Sequence, residues 1–175
     1  MQNEKCKMMH TSEKDLRSKI EELLQGTGYE LITLAIRPEN NILVEVDKLE
    51  GTDVDFCAEL NRQIVEFLES VGEPDYALEV GSVSLVDPFK TKMQYNKHLG
   101  HNVEVMVETQ NAKCKMQNEK YHGQLGSVDE ETFSVDVEEK VKVEMQNAKC
   151  KMKKQIVTHT WRYDEVKYCK YDLKF

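Results

Sequence analysis

DVDFCAELNRQIVEFLE, residues 53–69, decides the fold of the first half of the chain. Phe56, Leu60, Ile64, Phe67 and Leu68 recur at the three-to-four-residue spacing of one helical face. Thr52 or Asp53 can cap the first turn, and Gly72 and Pro74 break the helix. Upstream, Ile42, Val44 and Val46 alternate with polar residues, as in a strand with one wet face. Residues 31–36 form another strand, joined to it through the turn Pro38-Glu39-Asn40-Asn41. Ser12, with Asp15 three residues on, opens a first helix that buries Leu16, Ile20, Leu23 and Leu24 and ends at Gly26 and Gly28. Downstream, Tyr76, Leu78 and Val80 alternate again. The order α-β-β-α-β predicts two helices packed on a three-stranded sheet, an α+β two-layer domain over residues 12–88.

The pattern changes after Asp87-Pro88-Phe89, where proline disfavours continued regular structure. Val103, Val105 and Val107 alternate. Residues 121–128 and 132–137 flank a turn at Asp129-Glu130-Glu131, and residues 155–161 and 166–173 follow. Four or five short strands joined by tight turns predict a small β-barrel over residues 89–175, a solution that removes exposed sheet edges.

A peptide recurs through this framework: MQNEKCKM at 1–8, NAKCKMQNEK at 111–120 and MQNAKCKM at 145–152. Residues 1–11 read as a repeat-derived tail. The copies within 109–120 and 145–152 read as hairpin insertions, which in a meander lie at one end of the sheet and cost little there. Cys6, Cys114 and Cys150 come from these repeats, and a three-cysteine zinc site is the sharp alternative. No copy holds a C-x-x-C or a close histidine pair, so no metal and no cofactor is expected.

The 175 residues are 39% apolar and 32% charged, within the range of a folded protein. No stretch approaches a membrane span, and MQNEKCKMMH lacks the apolar core of a secretory signal, so a cytoplasmic setting is expected. The net charge of −8 is unevenly spread. Residues 1–88 hold 8 Lys/Arg against 19 Asp/Glu, whereas residues 89–175 hold 16 against 13. The acidic half suits a basic protein partner and the mildly basic half tolerates RNA. Apart from the repeats and Lys151, Lys153 and Lys154 there is no concentrated basic patch, which argues against tight autonomous nucleic-acid binding.

No catalytic constellation assembles. His98 and His101 lack a third ligand, and Asp53 and Asp55 sit at a helix start, where carboxylates favour the helix dipole. Gly123-Gln124-Leu125-Gly126 has the spacing of an RNA-clamping loop but falls in a predicted strand. No catalytic residue is assigned, and an enzyme is not expected. GSVSLVDPFKT, residues 81–91, stands out instead. Gly81, Ser82 and Ser84 allow a tight turn, Leu85 anchors it and Pro88 stiffens its exit.

Taken in order, DVDFCAELNRQIVEFLE, YALEVGSVSLVDPFKT, LGHNVEVMV and a β-rich tail resemble the ribosome maturation factor RimP family. Ser82, Leu85 and Pro88 fit that family's linker, while Val83, Ser84 and Asp87 replace its usual Pro, Gly and Arg. The resemblance implies that the second domain is an Sm-like or SH3-like barrel. It also implies a non-catalytic assembly factor for the small (30S) ribosomal subunit, monomeric and cytoplasmic. Its partners would be a basic ribosomal protein and 16S rRNA, with no membrane and no DNA. In that account Asp47, Glu50, Asp53 and Asp55 meet the basic partner, and Ser82, Leu85 and Pro88 form the linker edge. The rival readings are a free-standing Sm-like RNA-binding regulator and an unrecognised hydrolase.

Overall fold

The computed structural model describes residues 10–73, 75–110, 116–143 and 151–173. The chain divides into two compact units, Met1–Ser84 and Leu85–Phe175.

In the first unit, helix α1 (Glu13–Leu24) starts at Ser12, whose hydroxyl accepts the Asp15 N–H at 3.1 Å. Strand β1 (Tyr29–Arg37) turns at Glu39 and Asn40, both with positive φ, into strand β2 (Asn41–Lys48). Helix α2 (Val54–Ser70) and strand β3 (Ala77–Ser82) complete the unit. The sheet order is β1-β2-β3, with β2 antiparallel to β1 and parallel to β3. Leu16, Ile20 and Leu24 of α1 and Cys57, Leu60, Ile64 and Leu68 of α2 bury their stripe against Leu34, Ile42, Val44 and Val46. This core is aliphatic throughout its fully buried layer. The fold is α+β, as the periodicities predict.

The second unit opens with a short helix, α3 (Lys92–Lys97), stabilised where the Gln94 amide oxygen accepts the Lys90 and Thr91 N–H groups at 2.7 and 3.2 Å. Strands β4 (Asn102–Gln110), β5 (Met116–Val128), β6 (Thr132–Val143), β7 (Lys151–Arg162) and β8 (Val166–Tyr171) follow. They form one antiparallel sheet in the order β7-β6-β5-β4-β8. The closed barrel expected from the strand pattern is not formed: among the described residues no ladder joins β7 to β8, and these strands are the two edges. The buried face is covered instead by the segment ahead of β4. Tyr95 of α3 lies 4.9 Å from Phe133 and 5.0 Å from Tyr163, and Phe89 packs on Tyr95 at 5.2 Å. Phe133, Val103, Val105, Val135 and Cys169 are fully buried beneath them.

Gly123 is required by this pairing, because a Cβ there would collide with the Asp136 backbone on β6. The spacing Gly123 to Gly126 thus belongs to β5, with Leu125 buried in the core.

The β4–β5 ladder runs to Gln110↔Met116 and the β6–β7 ladder to Val143↔Lys151, at the same end of the sheet. Residues 111–115 and 144–150, on which part of the two expected hairpin insertions falls, and the first repeat lie outside the described residues.

Candidate functional site

The loop from β2 to α2 forms an exposed tip at one end of the first sheet, and its geometry is built from the strand upward. Lys48 ends β2, and Gly51 reverses the chain at φ +105°, its N–H donating to the Lys48 carbonyl at 3.0 Å. Asp47 was expected on the acidic surface. It is instead 2% exposed: its carboxylate accepts the Lys48 N–H at 2.9 Å and the Thr52 hydroxyl at 3.2 Å. The returning loop covers it, so Asp47 lies beneath the tip and not on its exposed surface. A buried carboxylate needs such donors to offset lost hydration.

A flat aromatic pair underpins the tip. Tyr29 of β1 and Phe56 of α2 stack at 3.8 Å with their planes 2° apart. The Tyr29 hydroxyl accepts the Asp53 N–H at 3.0 Å, and Lys48 Nζ lies 5.4 Å from the Tyr29 ring. Asp53 caps α2, accepting the Asp55 N–H at 2.9 Å.

On this base the tip presents Leu49 at 52% exposure and Val54 at 81%. Glu50, Asp53 and Asp55 are exposed around them, and Glu50 makes only a loose pair with Lys48 at 3.7 Å. The tip thus sets two exposed apolar side chains among three exposed carboxylates. Sequence periodicity missed Leu49 and Val54 because neither lies on a helix or strand stripe. Their signal is two aliphatic residues flanking a Gly-Thr-Asp turn.

Of the linker residues, Ser82 is exposed and ends β3. Its parallel pairing with Val46 places it at the same end of the sheet as the tip. Leu85, 59% exposed, and exposed Pro88 belong to the second unit. A shallow depression of 390 Å³ is lined by Glu21, Leu24, Gln25, Tyr29, Glu30 and Leu31, and so shares Tyr29 with the tip.

His98 and His101 serve packing. His98 stacks on Phe89 at 4.6 Å, its Nδ1 lies 2.8 Å from the Gln94 carbonyl, and the two imidazoles are 6.1 Å apart. Among the described residues no group of three His, Cys, Asp or Glu is placed to hold a metal ion. Burial raises the Cys57 thiol, and the Asp53 charge adds to the effect; burial pushes the Cys169 thiol up to about 12. Neither is poised as a thiolate. Among the described residues no helix is long and apolar enough to cross a membrane.

Comparison with known proteins places this unit. Residues 19–84 match the family model described as the RimP N-terminal domain. Proteins named ribosome maturation factor RimP, from two strains of Porphyromonas gingivalis, are each 38% identical to the chain over 77 residues. That match covers 44% of this chain and 50% of each relative, so the chain spans about half the length of the curated relatives it matches. Over its first unit, the chain is thus similar to the N-terminal domain of the ribosome maturation factor RimP family.

Proposed function

We propose that the protein is a non-catalytic assembly factor for the small (30S) ribosomal subunit, acting in the cytoplasm as a monomer. The observation that carries this reading is the family match over residues 19–84, the segment that contains the whole β2–α2 tip. In this reading the tip docks on a basic ribosomal protein. Leu49 and Val54 supply the apolar contact, Glu50, Asp53 and Asp55 supply steering charge, and Asp47 holds the loop in shape. Ser82, Leu85 and Pro88 form the edge beside the docked particle. The second unit acts as an Sm-like module that lies against 16S rRNA, with neither DNA nor membrane among its partners. Its working boundary is residues 89–175, after an α/β domain at 12–88.

Attraction between an acidic tip and a basic partner is long-ranged at low salt and screened within about 8 Å at physiological ionic strength. Sucrose-gradient sedimentation tests the reading. The protein should travel with free small subunits at low salt, dissociate as salt rises and leave mature ribosomes alone. Equal partition onto mature ribosomes, or binding indifferent to salt, contradicts it.

A further inference from the structure

The shallow depression of 390 Å³ lies between the last turn of α1 and the start of β1. Its walls divide by chemistry. Leu24, 5% exposed, with half-buried Tyr29 and Leu31, makes an apolar floor. Exposed Glu21, Gln25 and Glu30 make a polar rim. The Tyr29 ring is held in place by its stack on Phe56 and by its hydroxyl, which accepts the Asp53 N–H. β1 is an edge strand, so among the described residues no neighbouring strand covers that side.

The surroundings favour a cation that the walls do not supply. The last turn of α1 carries Glu21 and Glu22 and no basic residue, which leaves the negative end of the helix dipole without a countercharge. Lys19 pairs with Glu22 at 3.0 Å, but Arg17 reaches Glu21 only at 4.0 Å. Glu30 has no Lys, Arg or His partner among the described residues. Lys48 Nζ, beside the Tyr29 ring, pairs with Glu50 at 3.7 Å and is not one of the walls. An apolar hollow with an acidic rim matches a side chain that is itself divided. The methylene stem of arginine or lysine buries along apolar surface while its charged head stays at the edge. A purely apolar side chain would desolvate the rim carboxylates without pairing them, and an anion would be repelled.

We infer that this depression is a binding site for one long cationic side chain, arginine or lysine, carried by the basic partner that docks on the tip. This rests on the docking reading above and gives that partner a side-chain contact. Tyr29 joins the two places, because it lines the depression and its hydroxyl holds the N-terminus of α2 through Asp53. The exposed carboxylates of the tip steer a partner through a field that salt screens. A hollow that seats one stem and one charged head adds selection, since interfaces concentrate their energy in a few side chains placed in pockets, arginine prominent among them.

NMR of the full chain, titrated with the peptide acetyl-Gly-Gly-Arg-Gly-Gly-amide, tests the site. The amide signals of Leu24, Gln25, Tyr29 and Leu31 should shift and saturate together. The same peptide with citrulline, which keeps the shape of arginine without its charge, should bind at least about tenfold more weakly. A lysine peptide should shift the same signals. E21Q/E30Q should weaken the arginine peptide about tenfold, and E66Q/E69Q, on exposed carboxylates of α2, less than about twofold. The same spectra show whether each variant is folded. Citrulline binding equal to arginine overturns the cation site, as do arginine shifts spread over the other carboxylates without saturation. Affinity for free small subunits should fall roughly fivefold in E21Q/E30Q, and unchanged affinity in that folded variant overturns the assignment to the docked partner. A chain that binds subunits and ignores the peptide overturns the depression alone. One that takes the peptide and binds no subunit overturns the parent reading and leaves the cation site standing.

Discussion

The two units bury their cores with different chemistry. The first packs leucine, isoleucine and valine from two amphipathic helices onto three strands, and its aromatic residues sit at the margin, as Tyr29 and Phe56 do beneath the tip. The second packs a chain of rings, from Phe89 and Tyr95 through Phe133 to Tyr163 and Trp161, against valines of an open sheet. An aliphatic helix–sheet interface repeats over many small contacts, and no single residue dominates it. An open sheet covered by a short helix and a loop relies on a few large side chains to fill the gap. The difference locates where each unit is most easily broken.

The largest expected effect follows from that contrast. Phe133→Ala should destabilise the second unit by about 3–5 kcal/mol, since Phe133 is fully buried between Tyr95, Trp161 and Tyr163. Ile64→Ala should cost the first unit about 2–5 kcal/mol. Hydrogen exchange resolved by strand checks both. Phe133→Ala should release protection across β4–β8 and Ile64→Ala across α2 and β1–β3. Equal loss in all strands from either variant breaks the comparison.

A smaller effect concerns a largely covered charged hub in the second unit. The Glu104 carboxylate is largely covered and accepts the Tyr168 hydroxyl at 2.6 Å, with Lys120 and Lys170 beside it. The Tyr168 hydrogen bond, ahead of the lysines, holds the Glu104 carboxyl below its usual range. A depressed carboxyl contributes stability above the ordinary glutamate value of about 4.3 and loses it as pH falls through the lower folded value. Tyr168→Phe should therefore raise the Glu104 midpoint in a carboxyl NMR titration and move acid unfolding to higher pH. The cost at neutral pH should be about 1 kcal/mol. An unmoved midpoint means the lysines alone set it.

Much of the first unit was legible in the sequence because its signals are local. The stripe Leu60, Ile64 and Leu68 is buried as its spacing predicts, and Ser12 and Asp53 cap the helices. Asp47 was misplaced because alternation from Val46 points it away from the core, and only the returning Thr52 loop covers it. In the second unit, barrel closure depends on pairing between distant strands, which no local pattern encodes. Helix α3 is too short to show a period, and its one local signal is the spacing of Thr91 and Gln94. The tip was half legible: its carboxylates stood out, and its exposed Leu49 and Val54 did not.

A comparable small stability change tests the base of the tip. Tyr29→Phe removes the acceptor for the Asp53 N–H and keeps the stack on Phe56, so it should cost about 0.5–1.5 kcal/mol. Urea unfolding measures it, and a loss no larger than that of an ordinary surface substitution shows that the stack alone holds α2 to β1.

The most direct measurement is the affinity for free small subunits of a chain carrying L49S, E50Q, V54S and D55N, with Asp53 kept because it caps α2. These side chains are exposed, so stability should stay within about 0.5 kcal/mol per substitution. Affinity at low salt should fall at least about tenfold, equivalent to ~1.4 kcal/mol. Undiminished binding by a folded variant would contradict the tip as the docking surface.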